Sequence, residues 1–282
     1  MTVLEASGPN AAQITYWNEV VGPTWAAMHD ALDGELGVLG LRAIERLAPR
    51  PDERLIDIGC GCGATTLELA RRVGPAGLVT GADISAPMLD VARRRAADAG
   101  LGQTRFLQVD AQTHGFDAAD GAFSRFGVMF FADPVAAFAN IRRALKQGGR
   151  LAFVCWQSLE NNPWMTVPLA AITPLLPGAA PPPITPGAPG PFAFADGERL
   201  RGLLAAAGFT EIEVSSNREQ IGWGDLETSV NTALRVGPVG VAARENPDLR
   251  PQIRDAVRAA FAAHQTSEGV RLESGSWIVR AA

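Results

Sequence analysis

Apolar runs and amphipathic stretches alternate through the first half of this chain. Leu55-Ile56-Asp57-Ile58 is an apolar run broken by a single acid, and it leads through Gly59, Gly61 and Gly63 into a helical pattern that starts at Ala64. A second apolar run spans Leu78 to Asp83, a third Thr104 to Gln112, and a fourth lies within Phe116 to Phe131 together with the loop beyond it. Val135, Phe138, Ile141 and Leu145 then share one helical face. Asp133 is placed to cap that helix, Pro134 suits its first turn, and Gly148-Gly149 ends it before a fifth strand, Arg150 to Trp156. Strands alternating with helices in this way predict a parallel sheet covered on both faces. Farther on, Asp196 caps a helix with an apolar stripe at Leu200, Leu203, Leu204 and Ala207, ending at Gly208 and followed by a strand from Glu211 to Val214. Residues 217–269 predict two helices, the latter with Ile253, Val257, Ala260, Phe261 and His264 on one face. Gly275 to Ala282 reads as a last strand.

The glycine turn carries the first chemistry. Glycines permit positive φ and leave no Cβ between backbone and a ligand, while the start of the following helix supplies free N–H groups. Gly59-x-Gly61-x-x-Ala64 also satisfies the dinucleotide fingerprint, so the glycines alone leave the cofactor class open. Asp83, roughly 20 residues beyond the loop, ends the second strand where an acid can accept two ribose hydroxyls, and nicotinamide enzymes place an acid similarly. Asp57 inside the first strand, the third glycine Gly63, and Asp110 at the end of the third strand are not required by a nicotinamide site.

The run Asp57-x-Gly59-x-Gly61-x-Gly63 resembles the first motif of class I S-adenosylmethionine (SAM) dependent methyltransferases. Further resemblance lies in Arg143-Ala-Leu-Lys-Gln-Gly-Gly-Arg-Leu151 and Ala205-Ala-Ala-Gly-Phe-Thr-Glu-Ile-Glu-Val214, and the motifs together span about half the chain in the family's order. The resemblance implies an α/β, Rossmann-like seven-stranded sheet flanked by helices, with strand 7 antiparallel. It assigns Asp57 to a network under the methionine end of SAM, and sets Gly59, Cys60 and Gly61 against the ligand. Asp83 falls to the ribose, Ile84 to the adenine face, and Asp110 with the Ala111 N–H to the adenine amino edge. Met88 and Ser124 complete the expected core contacts. The Asn/Asp-Pro-Pro-Tyr pattern of amino-nitrogen methylation is absent, with Ser124-Arg-Phe-Gly in its place. A small-molecule acceptor follows, as in relatives resembling the ubiquinone and menaquinone methyltransferases, methylated on O, C or N.

The expected organisation is an N-terminal helical cap over 1–50, a SAM-binding core over 51–156, a Pro-rich lid over 157–195, and the rest of the core over 196–282 with a helical insert at 217–269. The cap is aromatic-rich, and Trp17 and Trp25 are expected to close on the cofactor or to pack the cap on the core. His29, in the same segment, is the first candidate for a catalytic base, ahead of His114 and His264. Arg125 is a candidate for orienting an anionic acceptor.

Length and a hydrophobic content of 47% suit one elaborated single-core domain. A formal net charge of −5 without a basic run argues against a nucleic-acid partner. No apolar run is long enough for a bilayer and no secretory pattern opens the chain, so a cytoplasmic protein without a membrane partner is expected, with a homodimer left open. Three cysteines are too few for a disulfide framework. Cys60-x-Cys62 lacks a second ligand pair, so no metal is expected. The readings set against a methyltransferase are a nicotinamide oxidoreductase, which would need a catalytic Ser/Tyr/Lys set although Tyr16 is the sole tyrosine, and a non-catalytic SAM-binding protein.

Overall fold

The computed structural model describes residues 4–176 and 187–282. The Pro-rich stretch at 177–186, central to the expected lid, lies outside the described residues. Five parallel strands form in chain order, β1 (Arg54–Ile58), β2 (Leu78–Asp83), β3 (Thr104–Gln108), β4 (Ala119–Arg125) and β5 (Leu145–Trp156). Two more follow in the same sheet, β6 (Glu213–Ile221) and, after the short hairpin of β7 (Gln265–Thr266) with β8 (Gly269–Val270), β9 (Leu272–Ala281). The strand order is β3-β2-β1-β4-β5-β9-β6, and β9 runs antiparallel to both β5 and β6. This is the Rossmann-like α/β arrangement expected from the sequence. The order reverses between β1 and β4, and the carboxyl ends of strands at such a switch are where open α/β sheets bind ligands.

The helices between strands are α4 (Ala64–Val73), α5 (Ala86–Asp98), α6 (Pro134–Ala144) and α8 (Gly197–Ala206). Asp133 accepts from the Ala136 N–H, and Asp196 accepts from the Glu198 and Arg199 N–H groups, so both caps form as anticipated. Before the sheet come α1 (Ala11–Thr15), a π-type turn at Tyr16–Val20, α2 (Gly22–Ala27) and the long α3 (His29–Leu47). Leu32, Leu36, Leu39, Ala43, Ile44 and Leu47 recur at helical spacing and bury α3 against the sheet. Its last carbonyls, at Leu47 and Ala48, accept from the buried Arg150 guanidinium, which also grips Glu53 at 2.8 and 2.9 Å. One side chain thus caps a helix end and ties it to the middle of the sheet.

Several boundaries move. Gly148 has φ of +73°, and the chain turns there within β5 instead of starting a strand after it, because Leu145 already pairs with Ala119. β6 starts two residues later than expected and runs to Ile221, inside the expected insert, because β9 starts at Leu272 and offers it a long antiparallel partner. Residues 217–269 then hold three helices rather than two, α9 (Leu226–Ala233), α10 (Gly237–Glu245) and α11 (Arg250–Ala262). Gly237 and Pro238 open α10 at its first positions, a start signal that an apolar-stripe reading passes over.

These three helices pack with α7 (Pro163–Ile172) around a second apolar core, where Ile172, Val230, Ile253, Val257 and Phe261 are fully buried. The molecule therefore has a sheet core and a separate helical core, and the functional crevice lies where the two meet. Among the described residues no helix is long and apolar enough to cross a membrane.

Candidate functional site

A cavity of about 280 Å³ opens at the carboxyl ends of β1, β2, β4 and β5. One half of its wall is the glycine turn with Cys60, Cys62, Ala82 and Asp83; the other is apolar and aromatic, with Phe126, Trp156, Trp164, Met165, Trp223 and Val239. Apolar walls with a few convergent polar groups are the usual make-up of a small-molecule site.

Gly59, Gly61 and Gly63 all have positive φ, of +67°, +53° and +82°. Their reasons differ from the simple expectation that each clears space for a ligand. A Cβ on Gly59 would come within 2.6 Å of Gly127 Cα, and one on Gly63 within 2.9 Å of Ala92 Cβ, so these two are demanded by packing against the β4 loop and α5. At Gly61 a Cβ would meet only the flexible Met88 Cε at 2.8 Å, and this glycine faces the cavity.

Asp83 holds the turn in place. Its two oxygens accept from the Gly61 N–H and the Ser85 N–H, both at 2.8 Å, and its carboxylate remains on the cavity wall. Burial raises its pKa against the pull of those N–H groups. Beneath the turn, fully buried Asp57 accepts the Thr65 and Thr66 hydroxyls on one oxygen while Oδ1 has no partner. Burial pushes the Asp57 carboxyl up to about 6, opposed by those hydroxyls. Asp57 and Ser124 stand behind the wall instead of on it. Ser124 was expected at the cofactor, but its Oγ donates to the Ile58 carbonyl at 2.7 Å and accepts from the Gly127 N–H, joining β4 to β1.

The remaining predicted residues Trp17, Trp25, His29, Gly59, Cys60, Ile84, Met88, Asp110, Ala111 and Arg125 all reach the cavity. Trp17 packs edge-on against Trp25 and Phe130, with ring centroids 5.5 and 5.2 Å apart. The segment carrying it is fixed to the core by Asn18, which donates to the Ile84 carbonyl and accepts from the Ala86 N–H. Arg125 donates to Asp33 of α3 at 2.7 Å, and Asp33 also accepts from Arg95 at 2.8 Å. The guanidinium is thus engaged in joining α3 to β4, which argues against a free anion-orienting role. His29 is half-buried, with Nδ1 2.9 Å from the Ala26 carbonyl and Nε2 3.4 Å from Asp30. His114 packs edge-on against Phe116 away from this cavity, and His264 does not line it.

Two site residues escaped the sequence reading. Buried Asn10 sends its amide to both oxygens of Asp110 at 3.0 Å and to Gln112 Oε1, so the N-terminal segment already sits on the acid expected at an adenine edge. Glu35 is 3% exposed, lines the cavity, and has Oε1 without a hydrogen-bond partner. Its lone charge inside the apolar stripe Leu32-Leu36-Leu39 of α3 was the available signal.

Cys60, Cys62 and Cys155 are buried free thiols; burial lifts that of Cys60 well above its usual value and pushes that of Cys62 up to about 12. They are inert fillers of the turn and strand rather than reactive groups. No group of three His, Cys, Asp or Glu side chains is placed to hold a metal among the described residues.

A doubly wound sheet with a three-glycine turn after β1, an acid ending β2 and another after β3 agrees with the resemblance to class I SAM-dependent methyltransferases carried by the sequence motifs. Residues 55–149 match the family described as Methyltransferase domain. The chain is similar to aklanonic acid methyltransferase DauC of Streptomyces sp. (strain C5), 38% identical over 117 residues, which cover 41% of this chain and 53% of that protein. It is also similar to the ubiquinone/menaquinone biosynthesis C-methyltransferase UbiE of Teredinibacter turnerae, 35% identical over 148 residues, covering 50% of this chain and 59% of that one. The matched region thus spans about half the length of these curated relatives. In fold it is similar to the YcgJ protein of Bacillus subtilis, with a TM-score of 0.56 at 18% identity over 90% of this chain and 97% of that one.

Proposed function

We propose that this protein transfers the methyl group of SAM to a small, largely apolar acceptor held between the sheet and the helical layer. The observation that carries the reading is one continuous cavity whose polar end is the glycine turn with Asp83 and whose other end is aromatic. Relatives named for methylation of small molecules support the same class of acceptor. When bound, SAM supplies a methyl group on a positively charged sulfur.

The residues present fit that molecule. Asp83 keeps lone pairs toward the cavity after accepting two backbone N–H groups, as two ribose hydroxyls require. Gly61 leaves its backbone bare beside it, Ile84 and Met88 offer apolar surface, and Asp110 with the Ala111 N–H offers an acceptor and a donor for a purine edge. The orphaned Asp57 Oδ1 under the turn is an unused acceptor of the kind that a network toward a charged methionine moiety employs. Trp17 and Trp25 cover the crevice from the N-terminal segment, and Phe126, Trp156 and Trp164 exclude water from the acceptor end. Alignment in a dry site supplies much of the rate of an in-line displacement. Arg125 acts here as a positioning residue through Asp33.

Calorimetric titration with SAM, S-adenosylhomocysteine and NAD tests the cofactor reading. Binding of the two adenosyl compounds without NAD is expected; NAD binding alone overturns it. Incubation with labelled SAM and a metabolite extract then tests turnover, and labelled product refutes a purely binding role.

A further inference from the structure

The aromatic end of the cavity holds one carboxyl group without a formed hydrogen bond, that of Glu35. Glu35 projects from α3 onto the wall, and Trp223, which follows β6, lies across from it. Trp223 is itself fixed between Trp164 and Phe261, at centroid distances of 6.0 and 6.2 Å. The Trp223 indole N–H faces the Glu35 carboxyl and opposes the upward pull of burial on it, yet no hydrogen bond of good geometry forms between them, and buried Glu35 Oε1 and Trp223 Nε1 are both left unsatisfied. A buried polar atom left unpaired destabilises the fold by about 1–3 kcal/mol, and an unpaired carboxylate by more. Facing each other on one cavity wall without a formed bond, they are a donor and an acceptor that a ligand group placed between them would satisfy. The functional group that matches both is a hydroxyl, which donates to the carboxylate and accepts from the indole N–H.

We propose that Glu35 is the base of this site, accepting first a hydrogen bond and then the proton from a hydroxyl on a flat, apolar acceptor whose oxygen also accepts from Trp223. This rests on the methyltransferase reading above. In the step, the acceptor oxygen forms a bond to the methyl carbon as the carbon–sulfur bond breaks and its electron pair stays on sulfur. The hydroxyl proton passes to the Glu35 carboxylate, so a sulfonium and a carboxylate are converted to a neutral thioether and a neutral acid.

The competing groups on the wall are already engaged. His29 is held by the Ala26 carbonyl, Asp33 by Arg95 and Arg125, Asp83 by two backbone N–H groups, and Asp110 by Asn10. Cys60 and Cys62 are protonated thiols. The parts of α7, α9 and α10 that reach the wall, Trp164, Met165, Pro168, Ala233 and Gly237 to Val239, bring no ionisable side chain. Burial holds the Glu35 carboxyl well above the usual carboxylate range, which brings its basicity closer to that of a phenolic or enolic hydroxyl.

The test uses the full-length protein with S-adenosylhomocysteine bound, and as probes 2-naphthol and its methyl ether, 2-methoxynaphthalene. Wild type is expected to prefer the naphthol by about tenfold, with the preference growing as pH rises and Glu35 ionises. In Glu35→Gln the preference should no longer vary with pH, and in Trp223→Phe naphthol and ether should both bind more weakly, with S-adenosylhomocysteine affinity unchanged in either variant. A pH-dependent preference that survives in Glu35→Gln overturns the proposal, as does a wild type that fails to prefer the naphthol. Infrared difference spectra of wild type keep the test independent of variant folding: the band of a buried carboxylic acid should shift on adding naphthol, and an unmoved band counts against Glu35. Failure of wild type to bind S-adenosylhomocysteine would instead overturn the methyltransferase reading.

Discussion

Replacing Asp57 by Asn separates the demands of the fold from those of the site. Asp57 is fully buried, with one oxygen accepting from Thr65 and Thr66 and the other without a partner, and its carboxyl is pushed from 3.8 to about 6. A rise of about two units corresponds to about 3 kcal/mol by which the native state disfavours the ionised form. The sign follows from proton counting. Below the unfolded value of 3.8 both states are protonated and the group has no pH-dependent effect. Between about 4 and about 6 the native state retains a proton that the unfolded chain has lost, so wild-type stability falls as pH rises, and above about 6 the full penalty persists. Asn cannot ionise, yet its carbonyl oxygen can still accept both threonine hydroxyls. The stability of Asp57→Asn relative to wild type should therefore climb by about 3 kcal/mol from acid to neutral pH, while SAM binding weakens. Urea unfolding of both proteins across that range, with the difference curve isolating this residue from other titrating acids, is the measurement. A flat difference curve would refute the account of Asp57 as a strained acid kept for its ligand.

Asp83→Ala should weaken SAM by about 1–3 kcal/mol in calorimetric titration, and unchanged affinity removes Asp83 from the ribose role. The turn glycines should divide by mechanism. Gly63→Val, which drives a branched side chain into Ala92 and Phe106 at positive φ, should lower stability by about 2–5 kcal/mol in urea unfolding. Gly61→Val should leave a folded protein, detected by near-native circular dichroism, that binds SAM at least about tenfold more weakly; normal uptake overturns the loop assignment. Asn10→Ala should loosen the N-terminal segment, raising amide exchange from Ile14 to Val21 by about ten- to a hundredfold. Unchanged protection there means Asn10 does not anchor the segment.

The sheet was legible because its parallel strands carry apolar runs next to glycines or acids, and at β1, β2 and β3 those residues, Gly59, Gly61, Asp83 and Asp110, mark the nucleotide end of the crevice. The acceptor end was hidden for a physical reason. Its wall is assembled from α3, β5, α7, the turn after β6 and α10, segments distant in sequence whose apolar residues read individually as core. The histidines drew attention as the residue type most often used for proton transfer, whereas Glu35 is made more basic than an ordinary carboxylate only by the burial that folding imposes. Likewise nothing marked Asn10 within the expected helical cap, because its two hydrogen bonds to Asp110 span 100 positions of the chain.

The separate apolar core under α7, α9, α10 and α11 has a consequence for how this architecture can diversify. Part of the acceptor wall, Met165, Pro168, Trp223, Ala233 and Val239, belongs to a small bundle with its own interior, so replacing those side chains leaves the hydrogen-bond ladder of the sheet and the glycine turn in place. That part of the acceptor wall can thereby be altered without touching the donor crevice, and varying this bundle on the existing sheet is a tractable route to new acceptors.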